Sequence, residues 1–264
     1  MHEKLIYRNH LNEELAFGSS GLLAGKSGLH DYAWTAVQKN DRISGFKRGV
    51  SSFQLPVTAL TIERRNRLLE VTEKDVLANI PGRLYCGEYY LQCFVTAGKK
   101  DRYFRRNCME ETLTVTTDKA YWVRETPLSF RKTGKAGGLD WPTDFSFDFT
   151  PDTTKAGLFN PDFLASNFRL VLYGPCTSPS VSIGGHVYAL QASAEAGEYI
   201  TIDSIEKTIT KVLASGDREN LFDARNRDSY IFQRIPSGRS SVAWSGDYGV
   251  DLILLEERSE PKWT

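Results

Sequence analysis

Apolar and polar residues alternate with a period of two along most of this chain. In residues 111–117, Leu113 and Val115 share one face and threonines and acids the other. Residues 57–62 and 199–203 repeat the pattern, and residues 207–212 set Ile209 among threonines. β-Branched and aromatic side chains on alternating faces suit half-buried antiparallel strands. Glycine-containing breaks at 18–28, 97–101, 215–217 and 245–249 separate these runs. One stretch departs from the rule. Over residues 63–79, Leu68, Leu69, Val71, Val76 and Leu77 recur near helical spacing among charges, and Pro81-Gly82 then stops the helix. Thr72 is placed to hydrogen-bond locally, and no cap is assigned. A lone amphipathic helix in a β protein closes an open face or end of a sheet. The last strand is expected at 250–255, and the pattern as a whole predicts a mainly β chain with one amphipathic helix.

A boundary is expected between Val123 and Trp141, where residues 131–138 are polar, glycine-rich and aperiodic, as linkers are. The expected domains are residues 1–128 and 129–264.

Composition narrows the function classes. The 264 residues hold 33 basic and 33 acidic side chains, so no overall field favours nucleic acid or an acidic membrane. The four cysteines, Cys86, Cys93, Cys108 and Cys176, include no C-x-x-C, and three lie in apolar runs, which predicts reduced, buried thiols. The first residues lack the apolar core of a signal peptide, and no stretch approaches the roughly 20 apolar residues of a membrane span. Synthesis in the cytosol is the expectation.

Catalytic motifs fail one by one. Ser20-Gly-Leu-Leu-Ala-Gly-Lys-Ser27 approaches a phosphate-cradling loop, but serine replaces its first glycine. Residues 28–34 read as strand, where that motif needs a helix. The histidines, His2, His10, His30 and His186, form no i, i+4 pair, and no G-x-S-x-G occurs. Acids crowd residues 140–152, yet they alternate with Phe145, Phe147 and Phe149, which describes an edge strand better than a glycosidase carboxylate pair. The basic run 99–106 reads as a solvated hairpin tip rather than a single-strand-binding surface. No cofactor, metal site, sequence-specific nucleic-acid contact or membrane contact is expected, and the chain is read as not an enzyme.

Three stretches together resemble the distal tail proteins of siphophages, within the broader phage tail family. The first runs from Arg64-Arg-Asn-Arg-Leu-Leu-Glu through Asp75-Val-Leu-Ala-Asn-Ile-Pro-Gly-Arg-Leu-Tyr85 to Glu88-Tyr-Tyr-Leu-Gln-Cys-Phe94. The second is Leu113-Thr-Val-Thr-Thr-Asp-Lys-Ala-Tyr-Trp122. The third is the ending Arg258-Ser-Glu-Pro-Lys-Trp263. Residues 170–175, 197–203 and 220–223 are similar to that family's second domain. The resemblance implies an N-terminal β domain with one helix that forms a homo-hexameric ring. It implies a C-terminal galectin-like β-sandwich projecting outward. Such a ring sits at the virion tail tip of a phage or prophage, between the tail tube protein and the tail-tip or tail-associated baseplate hub. The residues with which galectins hold sugar are not recognisable, so the sandwich alone licenses no sugar binding.

Identical subunits close a ring through heterologous contacts, often with hairpin arms or sheet edges. Residues 39–49 set Ile43 and Phe46 among charges including Arg48, as an arm gripping a neighbour would. Ile43, Phe46 and Arg48 are therefore the candidate inter-subunit contacts. The alternative is a carbohydrate- or receptor-binding module that uses aromatics such as Trp141 or Trp244. A polysaccharide-cleaving enzyme, which needs a working carboxylate pair, stands last.

Overall fold

The structure, a computed structural model, describes residues 5–18, 21–103, 108–132 and 154–262. Most of the expected linker and the acid–phenylalanine run at 140–152, with Trp141, lie outside the described residues. So do His2, Ser20, the end of the basic run, and Trp263. The chain forms two units, residues 1–124 with 257–264, and residues 125–256.

The first unit holds β1 (Leu5–Arg8), β2 (Glu14–Phe17), β3 (Leu22–Ala24), β4 (Thr35–Lys39), β5 (Arg42–Lys47) and β6 (Ser51–Ala59). Helix α1 (Ile62–Ala78) follows, then β7 (Gly82–Cys86), β8 (Tyr89–Tyr103), β9 (Met109–Thr117) and the start of β10 (Trp122–Phe130). These strands pair antiparallel. One sheet runs β2-β1-β7-β8, and Trp122 pairs with Leu91. The other runs β3-β6-β9-β8. β8 serves both, pairing with β7 through Cys93 and with β9 from Phe94 onward. Alternation explains the core between them: Leu5, Tyr7, Leu84 and Leu91 from one sheet meet Leu55, Val57, Leu113 and Val115 from the other. Leu68 and Val71 of α1 complete it.

Local chemistry sets the helix ends. Thr61, in extended geometry, caps the start by accepting from the Arg64 N–H at 3.2 Å. Asn79 ends it in the left-handed region at φ 53°, one residue type that tolerates this. The strand read at 57–62 thus stops at Ala59 and gives way to the cap. The helix buries Leu68, Val71, Thr72 and Asp75, while Leu69, Val76 and Leu77 face solvent. Periodicity pointed to all five apolar residues; the partners of Asp75 and Thr72 chose the face instead. Thr72 donates to the Leu68 carbonyl at 2.9 Å.

Two further breaks differ from expectation. The break at 97–101 lies inside β8, where Lys99 pairs with Thr112 and Lys100 with Glu111; two irregularities absorb the poor strand formers. The break at 18–28 contains β3, and residues 28–34 form a turn and irregular chain rather than a strand. Trp122 fixes that segment by donating its indole N–H to the Leu29 carbonyl.

The second unit is a two-sheet sandwich. Its strands are β11 (Thr154–Asn160), β12 (Asn167–Tyr173), β13 (Cys176–Thr177), β14 (Ser180–Ile183), β15 (His186–Ala189) and β16 (Ser193–Ala194). Then come β17 (Tyr199–Asp203), β18 (Thr208–Val212), β19 (Arg218–Asn220), a 3-10 turn (Phe222–Ala224), β20 (Gly238–Trp244) and β21 (Val250–Arg258). One sheet runs β19-β18-β17-β12-β21 and the other β11-β20-β14-β15. Phe168, Leu170, Ile200, Ile202 and Leu252 from the first pack on Val181, Ile183, Tyr188, Val242 and Trp244 from the second. Phe168 and Tyr188 meet edge to face at 5.1 Å. The fold is mainly β with one α-helix among the described residues, as the alternation predicts.

Candidate assembly surfaces

The arm expected at 39–49 is a hairpin. Strands β4 and β5 form a two-stranded sheet that pairs with no other strand among the described residues. Asn40 and Asp41 both stand at positive φ, 51° and 57°, which is the two-residue turn matched to strand twist. Residues three apart normally point to opposite faces of a strand. Here an extra residue, Ser44, interrupts the register, so Ile43 opposes Gln38 while Phe46 opposes Ala36. Gln38 and Ala36 share a face, and the bulge therefore brings Ile43 and Phe46 to the same side of the arm. Ile43 is 60% exposed and Phe46 62%. Two large apolar groups thus stand exposed together on one face of a thin hairpin.

Arg48 has a different place. Its guanidinium lies over the rings of Trp34 and Tyr121, at 5.5 and 5.1 Å, and these rings meet edge to face. Burial lowers its pKa from the ordinary value. The contact holds the base of the arm through cation–π attraction.

A second surface lies between α1 and the β8–β9 ribbon. This groove of about 300 Å³ is walled by Leu69 and Val76 of the helix and by Val95, Ala97 and Leu113 of the ribbon. On its floor Glu111, 2% exposed, faces Lys100 Nζ at 3.1 Å and Arg65 Nη2 at 3.6 Å. A buried carboxylate needs such compensation. Ile62, Leu69 and Val76, seven residues apart, make a nearly straight exposed apolar line along the helix. Leu77 and Ile80 extend the apolar surface at its end.

The helix wall is held from beneath. Asp75 is fully buried and accepts from the Tyr7 hydroxyl at 2.5 Å and the His10 backbone N–H at 2.9 Å; the His10 ring Nδ1 is also at 2.5 Å. Burial above all, then neighbouring Cys93 and Asp75, raises the Tyr7 pKa. Burial pushes the Cys93 thiol up to about 12. A carboxylate, a phenol and an imidazole are ingredients of acid–base chemistry, but the carboxylate is sealed and the nearby thiol is held protonated. The cluster ties β1 to α1. Gly82 passes so close that a Cβ there would stand 2.4 Å from both Asp75 Oδ2 and the Tyr7 hydroxyl. Its bareness, not only turn formation, explains glycine after Pro81.

The remaining sequence candidates resolve plainly. Trp244, offered as a stacking platform, is 4% exposed and donates its indole N–H to the Tyr248 carbonyl at 3.0 Å. It belongs to the sandwich core because its alternation places it inward from β20. No disulfide joins the four cysteines; Cys93 and Cys176 are buried, while Cys86 and Cys108 are half-buried. His186 starts β15 after the Gly184-Gly185 turn, and its Nε2 lies 2.9 Å from the Tyr230 carbonyl. Among the described residues, no group of three or more His, Cys, Asp or Glu side chains is arranged to hold a metal. No described helix is long and apolar enough to cross a membrane.

No protein-family model matches the chain, and no curated protein matches it in sequence. Solved structures do match in fold. The Dit (gp 19.1) protein of SPP1, described as a paradigm of the hub adsorption apparatus in phages infecting Gram-positive bacteria, aligns with a TM-score of 0.57 at 7% identity. That alignment covers 97% of this chain and 98% of the other. A chain of the phage P2 baseplate in its activated conformation with calcium aligns with a TM-score of 0.65 at 13% identity, covering 99% and 100%. The strontium form of that baseplate gives the same values. This chain thus has the fold of phage tail-hub and baseplate components along nearly its whole length.

Proposed function

We propose that this chain is a distal tail protein that acts structurally, forming a hexameric ring at the virion tail tip between the tail tube and the tail-tip or baseplate hub. The observation that carries the reading is the fold likeness to the SPP1 Dit protein and to a chain of the phage P2 baseplate over both units, helix-bearing and sandwich alike. The residues 1–128 domain is the ring-former and residues 129–264 the sandwich module in this reading.

A heterologous ring needs one projecting and one receiving surface on each copy. The hairpin with Ile43 and Phe46 is the projecting one. We assign the groove beside α1 as the receiver. Its apolar walls suit Phe46, and Glu73 on its rim suits an arm bearing Lys39, Arg42 and Lys47, while Glu111 on its floor is already matched by Lys100 and Arg65. Arg48 serves by bracing the arm's base.

The double substitution Ile43→Ser, Phe46→Ser leaves the core untouched, since both side chains are exposed. It is expected to give folded chains that run as monomers on size-exclusion chromatography where the parent forms rings. Val76→Glu in the groove is expected to do the same. Intact rings from both variants rule out the arm-and-groove contact.

A further inference from the structure

The sandwich carries a pocket that no sequence motif announces. Residues 222–232 fold over Lys207 and leave a hollow of about 570 Å³, within the range of ligand sites. The loop is not loosely attached. The Gln191 N–H donates to the Ala224 carbonyl at 2.7 Å and the Asn226 N–H to the Ala189 carbonyl at 3.0 Å. The Ser229 hydroxyl donates to the Val187 carbonyl at 2.6 Å, and Phe222 stacks on Phe232 at 6.1 Å. Such a loop is organised before any ligand arrives, which lowers the ordering cost of binding.

Its charge leans positive. Arg225 is fixed by its contact over the Phe222 ring, 3.9 Å to the centroid, by donation to the Phe222 carbonyl and by an ion pair with Asp223 at 3.7 Å. Lys207 and Arg227 are exposed, and among the described residues neither has an ion-pair partner. Lys207 and Arg227 are thus the two uncompensated cations, facing Asp228, whose carboxylate also lacks a cation partner among the described residues, while Asp223 already matches Arg225. The ring of Tyr230 is 52% exposed beside them, while Phe222 and Phe232 cover each other.

We propose that this pocket binds a glycan carrying an anionic group, phosphate or carboxylate. Lys207 and Arg227 take the anion, the Tyr230 ring packs against the apolar face of a sugar, and Asp228 accepts from sugar hydroxyls. A bare polyanion such as nucleic acid suits the site less well, because its successive phosphates would bring one charge onto Asp228 as another meets the cations, and only one ring face is open for stacking. The inference is independent of ring formation, since every residue it uses lies in the second unit.

Calorimetric titration of the full chain tests it with three probes of equal length: a phosphorylated mannose oligosaccharide, a glucuronate-containing oligosaccharide and a neutral mannose oligosaccharide. An oligonucleotide and inorganic phosphate serve as competitors. At least one acidic glycan is expected to bind about tenfold or more tightly than the neutral one, as one charge-assisted contact implies. The stronger of the two identifies phosphate or carboxylate as the anion. Tyr230→Ala and Arg227→Gln are each expected to weaken it about tenfold, and Lys155→Gln on β11 to leave it unchanged. All are surface changes, and circular dichroism checks folding. The proposal falls if no acidic glycan binds, if the oligonucleotide binds better, if inorganic phosphate competes as strongly as the glycan, or if both pocket variants bind normally.

Discussion

Gly82→Ala probes how the groove beside α1 is held, because the buried pair beneath it braces the helix wall. A methyl at this position would lie 2.4 Å from Asp75 Oδ2, 2.4 Å from the Tyr7 hydroxyl and 2.7 Å from Tyr7 Cζ. None of these is the free end of a flexible chain: Asp75 is 0% exposed and Tyr7 2%. The pair must part or the strand must move. Losing a hydrogen bond to a charged group costs about 1.5–3 kcal/mol, and forcing one extra methyl into a packed core about 1–3 kcal/mol. Together these give about 3–5 kcal/mol, enough to lower protection of α1 and β7 amides by roughly a hundredfold or more. Hydrogen exchange read by mass spectrometry resolves this by segment. Peptides spanning residues 62–86 should lose protection, while those in residues 167–203 of the second unit should not. Unchanged protection across 62–86, or equal loss in both units, would refute the packing argument.

Two other perturbations separate backbone sterics and charge. Gly174→Ala sets a Cβ 1.9 Å from the Glu195 carbonyl oxygen, where only backbone could yield, so the sandwich should lose about 4 kcal/mol or fail to fold. Gly157→Ala meets nothing within 4 Å and should leave the melt unchanged; similar melting of the two variants by near-ultraviolet circular dichroism would contradict this. Glu13 is held below its ordinary value by hydrogen bonds from Lys74, then Asn9. A depressed carboxylate stabilises fully above its unfolded pKa, near 4.5, and that contribution disappears as pH falls through the lower folded value. Glu13→Gln should therefore flatten the acid limb of the stability curve below about pH 4.5, and an unaltered limb would exclude the effect.

Much of the architecture was legible because alternation is a direct image of burial. Leu113 and Val115 face the core as their spacing requires, and Ile200, Ile202 and Ile209 fill the sandwich. The helix was legible as an element but not in orientation. Spacing grouped Leu69, Val76 and Leu77 with Leu68 and Val71, but only the last two face inward, beside Asp75, whose partners Tyr7 and His10 lie more than sixty residues away. Long-range polar pairing leaves no periodic trace. The same limit hid the strand character of residues 97–101, since Gly98 and its lysines are kept in β8 by pairing with β9. The arm was readable as a charged segment with two stray apolar residues. Its shared apolar face depends on the Ser44 bulge, which composition does not reveal. The pocket at 222–232 was invisible for a simpler reason: its side chains converge through loop geometry, and no motif spacing encodes that.

The central claim is that copies of this chain close into a ring of six. Native mass spectrometry of the purified protein measures it most directly, alone and after mixing with isolated tail tubes. The account predicts a species of six times the 29.8 kDa chain mass, formed alone or on the tubes, and its loss in the Ile43→Ser, Phe46→Ser variant. A stable assembly of another copy number, or a chain that remains monomeric even with tubes present, would contradict it.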